Sequence, residues 1–144
     1  MIRHTLRALC AAALVIAPLA LTATPAHAAT TCTVNGVTVT SANVAGTAGA
    51  DFISCGTVSA GDTVNGQGGA DYIIVTSNVA GTVRGGAGRD YVQVNGSVAA
   101  TGAVHGDEDG DFVRAGANGG TVNGGLGFDF CRAASGNPPV NCEG

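Results

Sequence analysis

The chain contains no lysine and no tryptophan, and only one methionine among its 144 residues. Aromatic residues make up 4 % of it and charged residues 11 %. Each scarcity removes a class of protein. Without lysine there is no phosphate loop of the GxxxxGK type. With six basic side chains, no basic run and a formal net charge of −4, the chain lacks the footprint of a nucleic-acid binder. So few rings exclude an ordinary globular core, which leans on large aromatic side chains. Catalytic chemistry is equally thin. There is no GxSxG elbow and no nucleophile–base pair around His105, and the carboxylates are spread along the chain rather than paired. The chain reads as a non-enzyme.

The N-terminus has the three parts of a secretory leader. Arg3, His4 and Arg7 form a basic start, Ala8 to Leu21 an apolar stretch containing Pro18, and Ala26-His27-Ala28 a small-x-small cleavage site. The apolar stretch is shorter than the roughly 20 residues of a membrane span, so removal after Ala28 and export are expected, with no membrane insertion. Cys10 lies inside the leader and is lost with it. Cys32, Cys55, Cys131 and Cys142 remain. An even number in an exported chain points to two disulfides. Three pairings are open. Cys32–Cys55 and Cys131–Cys142 are favoured, because each pair lies near one end of the mature chain. No CxxC spacing supports a cysteine metal site.

What the chain has in excess is glycine, at 24 positions, and the glycines are phased. Five copies of one pattern appear: GTAGADFIS from Gly46, GQGGADYII from Gly66, GGAGRDYVQ from Gly85, GDEDGDFVR from Gly106 and GGLGFDFCR from Gly124. Their aspartates, Asp51, Asp71, Asp90, Asp111 and Asp129, are 20, 19, 21 and 18 residues apart. Such a period marks a solenoid. Between copies lies a second motif: Thr63-Val64-Asn65, Thr82-Val83-Arg84, Ala103-Val104-His105 and Thr121-Val122-Asn123, each followed by glycine. After each Asp the chain alternates. Phe52, Tyr72, Tyr91, Phe112 and Phe130 point one way, and Ile53, Ile73, Val92, Val113 and Cys131 the other. Period-two alternation indicates strands, with the aliphatic set facing a narrow core.

The pattern GGxGxDxUx, with U a large aliphatic residue, is the nonapeptide of the RTX (hemolysin-type) calcium-binding repeat, and the stretch from Gly46 to Arg132 resembles that family. The copy at Gly85 matches every fixed position. The copy at Gly124 has Cys131 in the aliphatic place. Thr47 and Gln67 replace the second glycine of the first two copies, and Asp107 and Asp109 replace two glycines of the fourth. The resemblance implies an all-β, right-handed parallel β-roll or β-solenoid of about five turns. It also implies calcium held between loops of neighbouring turns, at most four ions among five loops.

The residues support that chemistry on their own terms. Glycine accepts positive φ, so a GGxG run makes a tight turn that aims carbonyls inward. The Asp that follows adds a carboxylate, and oxygen ligands of both kinds suit a hard cation. The expected metal set is the five aspartates with Gly46, Gly49, Gly66, Gly69, Gly85, Gly86, Gly88, Gly106, Asp109, Gly124, Gly125 and Gly127. One nonapeptide per turn, instead of the common two, predicts ions along one edge only. The acidic loop at Gly106 is the least regular rung. Asp tolerates left-handed backbone, yet Asp107, Glu108 and Asp109 also threaten the turn.

Two other readings stay open beside calcium. The Asp and Gly residues serve turns equally well in a calcium-free solenoid. The aromatic column, Phe52 to Phe130, stabilises register between strands, or forms an interaction face for a glycan or protein in an adhesion module. The resulting domain map is a leader at 1–28, an N-terminal cap at 29–45, the repeat domain at 46–132 and a C-terminal cap at 133–144. Asn137-Pro138-Pro139 is expected to end strand pairing, since proline donates nothing to a ladder.

Overall fold

The computed structural model describes residues 27–144; the leader assigned to residues 1–28 lies almost wholly outside the described residues. From Thr30 onward the chain is built of strands, with no helix among the described residues. After each of the five repeat aspartates comes a strand: β4 (Phe52–Cys55), β6 (Tyr72–Val75), β8 (Tyr91–Val94), β10 (Phe112–Asn118) and β12 (Phe130–Gly136). The intervening Thr-Val motif begins the other set: β5 (Thr63–Gly68), β7 (Thr82–Ala87), β9 (Ala103–Glu108) and β11 (Thr121–Leu126), preceded by the short β3 (Asn43–Ala45). Strands of each set pair in parallel with the equivalent strand one turn away, and the chain winds between two sheets as a β-solenoid of about five turns.

The register is set residue on like residue. Phe52, Tyr72, Tyr91, Phe112 and Phe130 are direct partners, and so are Ile53, Ile73, Val92, Val113 and Cys131. Side chains alternate across each strand, so a slip of one residue would turn the aliphatic column outward. Behind it run Val64, Val83, Val104 and Val122 on the second sheet. A third column, Val58, Val79, Val98 and Asn118, joins the turns by single parallel bridges between the sheets. All positions of the columns behind the aromatic one except Cys131 are buried, and Cys131 packs partly against them. The interior is therefore a stack of Val and Ile layers. Asn118 is the polar exception in its column. Its amide is satisfied by the Asn137 carbonyl at 2.9 Å and the Gly120 N–H at 3.2 Å.

Both ends are stapled as favoured from the sequence, by Cys32–Cys55 and Cys131–Cys142. The N-terminal cap is more than a turn. β1 (Thr30–Val34) and β2 (Val37–Ser41) form an antiparallel hairpin laid along the edge of the first sheet, and Cys32 stands directly opposite Cys55 in the β1–β4 pair. The hairpin covers a strand edge that would otherwise be open to another chain. At the other end β12 and its ladder stop at Gly136, directly before Asn137-Pro138-Pro139, but pairing resumes beyond the prolines. Val140 bridges to Asn123, and the Gly124 N–H donates to the Val140 carbonyl at 3.0 Å. Pro138 and Pro139 occupy the corner, where no ladder donor is needed, and the chain begins a partial sixth turn.

The tightest points are the glycine loops. Gly88 sits at φ +119°, and a methyl group there would strike the Gly69 carbonyl of the preceding turn. Gly56 has open space around it and ordinary φ. We expect Gly88→Ala to cost about 2–4 kcal/mol through strain and collision, and Gly56→Ala to stay within about 1 kcal/mol. Denaturant unfolding of the two variants checks this. Equal losses would contradict the stacking described.

Candidate metal centre

Each repeat aspartate lies at the mouth of a first-sheet strand, with its side chain turned inside the coil. Asp51, Asp71, Asp90, Asp111 and Asp129 are all at most 4 % exposed. One oxygen of each of the last four links consecutive turns. The Asp51 N–H donates to Asp71 Oδ1 at 2.8 Å, Asp71 to Asp90 at 2.8 Å, Asp90 to Asp111 at 2.7 Å and Asp111 to Asp129 at 2.8 Å. The chain of bonds ends at Glu143, whose Oε2 accepts from the Asp129 N–H at 2.8 Å.

The second oxygen separates the first turn from the rest. Asp51 Oδ2 accepts from the Thr47 N–H at 2.6 Å and the Thr47 hydroxyl at 3.0 Å, while Asn35 Nδ2 donates to its Oδ1 at 2.5 Å. Oδ2 of Asp71, Asp90, Asp111 and Asp129 is buried without any hydrogen-bond partner. The cause is the loop backbone. In turns two to five the second and fourth nonapeptide residues have positive φ: Gln67 and Gly69, Gly86 and Gly88, Asp107 and Asp109, Gly125 and Gly127. Thr47 and Gly49 of the first loop do not. Thr47 can therefore present its N–H to the carboxylate, and its left-handed counterparts make no such bond.

The first glycine of each loop lies under its carboxylate. A methyl group on Gly66 would collide with both Asp71 Oδ2 and the Gly85 carbonyl oxygen. The same holds for Gly85 with Asp90 Oδ2 and Gly106 O, for Gly106 with Asp111 Oδ2 and Gly124 O, and for Gly124 with Asp129 Oδ2 and Asn141 O. Each unpartnered carboxylate oxygen thus has a carbonyl oxygen of the following turn close by. Gly46 packs against Asp51 in the same way, but that carboxylate already has its donors. Gly49 is exposed.

The acidic fourth loop keeps the geometry of its neighbours. Asp107 adopts φ 88° and Asp109 φ 72°, and Asp107 pairs in register with Gly86 and Gly125. Its carboxylate faces outward, where Arg84 Nε and Nη2 donate to it at 2.9 and 2.7 Å. Asp109 is exposed.

Burial pushes the Asp90 carboxyl up to about 6 and the Asp111 carboxyl up to about 7, with neighbouring carboxylates adding to both; Asp71 is also raised, chiefly by burial. Asp51 is held below the usual carboxylate range, first of all by the Thr47 N–H. A bare, buried acceptor of this kind costs about 1–3 kcal/mol, and more when charged. Carboxylate and carbonyl oxygen together are a donor set for a hard cation rather than a soft transition metal. No three His, Cys, Asp or Glu residues gather into a metal-holding group among the described residues. Each position offers one carboxylate with carbonyls, not a carboxylate cage.

The aromatic column is self-satisfied. Its five rings stack with centroids 4.7–5.6 Å apart and planes within 12° of parallel. Neighbouring rings cover one another's faces, so mainly ring edges meet solvent. Sequence reasoning missed Asn35, Asn141 and Glu143, which complete the column at its two ends. A signal for the last two was present: Val140-Asn141 repeats Val122-Asn123 at a distance of 18 residues.

No protein-family model matches the chain, and no curated protein or solved structure is similar to it.

A pH dependence follows from the buried carboxyls. A carboxyl whose folded pKa is raised contributes stability below its ordinary value, near 3.8, and loses it as pH rises through the folded value. In chelator, the melting temperature should fall between pH 4 and 7, and Asp111→Asn should flatten the slope. Asp51, shifted downward, acts only below its ordinary value. Melting curves across this range check the sign; a rise in stability from pH 4 to 7 would contradict it.

Proposed function

We propose that the chain is a secreted calcium-binding protein, with ions held inside one edge of the solenoid. The observation that carries this reading is the row of four buried carboxylate oxygens, on Asp71, Asp90, Asp111 and Asp129, that no protein donor satisfies. Asp71, Asp90, Asp111 and Asp129 would hold the ions together with the carbonyls of Gly85, Gly106, Gly124 and Asn141. The bound ion supplies positive charge that offsets the mutual repulsion and desolvation of the carboxylates. Asp51 stands outside the set, because Thr47 and Asn35 already occupy its oxygens. The phased nonapeptides, similar to the RTX repeat, support the same reading.

Export fits this chemistry. The leader-like N-terminus and the two disulfides point to an oxidising exterior, where calcium modules bind at about 10⁻⁴–10⁻³ M. The chain's residues do the rest of the work. The Asp Oδ1 bonds hold successive turns at one spacing, and the left-handed loop residues keep backbone N–H groups off Oδ2. Binding to the folded state alone adds stability, about 2.7 kcal/mol at a hundredfold excess over Kd.

Calcium titration of the chelator-treated, oxidised protein tests this, followed by calorimetry and melting, with magnesium as control. We expect calcium-selective heat and a rise in melting temperature. Asp90→Asn should weaken both, and Asp51→Asn should leave ion binding within about twofold. An unchanged melting curve with no heat of binding would leave a calcium-free, disulfide-capped solenoid.

A further inference from the structure

Asp62 belongs to none of the columns described above, yet it is one of the most buried polar residues of the chain, at 1 % exposure. Its register equivalents in the next three turns are glycines, Gly81, Gly102 and Gly120, where a Cβ would strike the carbonyls of neighbouring turns. A carboxylate fits at this place only in the first full turn, and the N-terminal segment closes over it. Thr30 donates to Asp62 Oδ2 twice, from its N–H and from its hydroxyl, each at 2.7 Å. The same hydroxyl accepts from the Ser59 N–H at 3.0 Å, which fixes its orientation. The remaining oxygen, Oδ1, is met by His27 Nε2 at 2.6 Å.

His27 is the middle residue of Ala26-His27-Ala28. Cleavage after Ala28 would remove the hydrogen-bond partner of a buried carboxylate oxygen, which must then find another. The same hydrolysis creates the replacement. One water molecule is consumed, the leader leaves with a carboxylate on Ala28, and Ala29 gains a free amine that is protonated at neutral pH. Ala29 adjoins Thr30, whose own nitrogen is 2.7 Å from Oδ2. Consecutive backbone nitrogens are at most about 3.7 Å apart, so the new ammonium starts within about 6.4 Å of the carboxylate. Ala29 is exposed and loses its upstream tether, so rotation about its ψ can bring the nitrogen to Oδ1.

We propose that Asp62 is the receptor for the α-ammonium group released at Ala29, and that this ion pair, replacing the hydrogen bond with His27, locks the N-terminal hairpin of the processed chain onto the first turn. The inference is independent of calcium. It rests on the reading of residues 1–28 as a removable leader.

The test starts with the full chain expressed through a secretory route. Intact mass should place the new N-terminus at Ala29. The secreted protein is then compared with a version acetylated at that amine, each with and without Asp62→Asn. Acetylation should lower the melting temperature by about 4 °C in the parent and by less than about 1 °C in the variant. At neutral pH the parent amine should react with an acylating reagent about tenfold more slowly than in Asp62→Asn. If Asp62→Asn fails to fold, two residues added ahead of Ala29 serve instead; they should reproduce the loss seen on acetylation. A mature N-terminus elsewhere, equal losses in parent and variant, or equal amine reactivity would overturn the proposal. So would a chain that tolerates the added residues with no loss.

Discussion

Each turn of this coil is tied to the next through a carboxylate oxygen buried inside it. The bond from one Asp N–H to the next Asp Oδ1 is short, buried and repeated, and it stands where the chain passes from loop to strand. A slip of one residue would break every one of these bonds and expose the Val and Ile columns together. Hydrophobic layering and polar linkage therefore specify the same register, a consistency that marks a sequence with one preferred structure. The aromatic stack adds a third, external statement of that register.

The same device creates the charge problem that gives the protein its chemistry. A carboxylate has two oxygens, and in Asp71, Asp90, Asp111 and Asp129 the bond from the preceding turn uses one. In the first turn ordinary donors, Asn35 and Thr47, take both oxygens of Asp51. In the later turns left-handed loop residues replace Thr47, and Oδ2 is left bare against a carbonyl. Two outcomes are open to such a group, protonation or a cation. The raised pKa values of Asp90 and Asp111 describe the first; the proposed calcium column is the second. The two compete for the same oxygen, so acidity and calcium should act against each other on this fold.

The repeat period, the strand alternation and the aliphatic and aromatic columns were legible in the sequence, because each depends on a local pattern repeated along the chain; the disulfide pairing was favoured among three only from the nearness of each pair to one end. Three features were not. The Val58, Val79 and Val98 column was obscured because its motif is only one conserved side chain long, and Asn118 breaks it. The hairpin over the first edge depends on β1 and β2 finding an antiparallel partner, a tertiary choice that the Thr- and Val-rich segment does not announce. The fate of Asp107 depended on Arg84, 23 residues earlier, and only the stacking of turns brings the two together. At the site, sequence reasoning treated the five aspartates as equivalent. Their difference lies in backbone φ at Thr47 against Gln67, Gly86, Asp107 and Gly125; β-branched Thr47 resists positive φ and Gly86, Gly125 and Asp107 accept it, but Gln67 adopts it without its residue type announcing so.

The central claim is that the bare carboxylate oxygens are cation ligands. The most direct measurement is anomalous scattering from crystals of the mature, oxidised protein grown with calcium. The account predicts a row of anomalous peaks inside one edge of the coil, beside Oδ2 of Asp71, Asp90, Asp111 and Asp129 and absent at Asp51. Carboxylates bridged by water, or bare with no anomalous signal at saturating calcium, would contradict it.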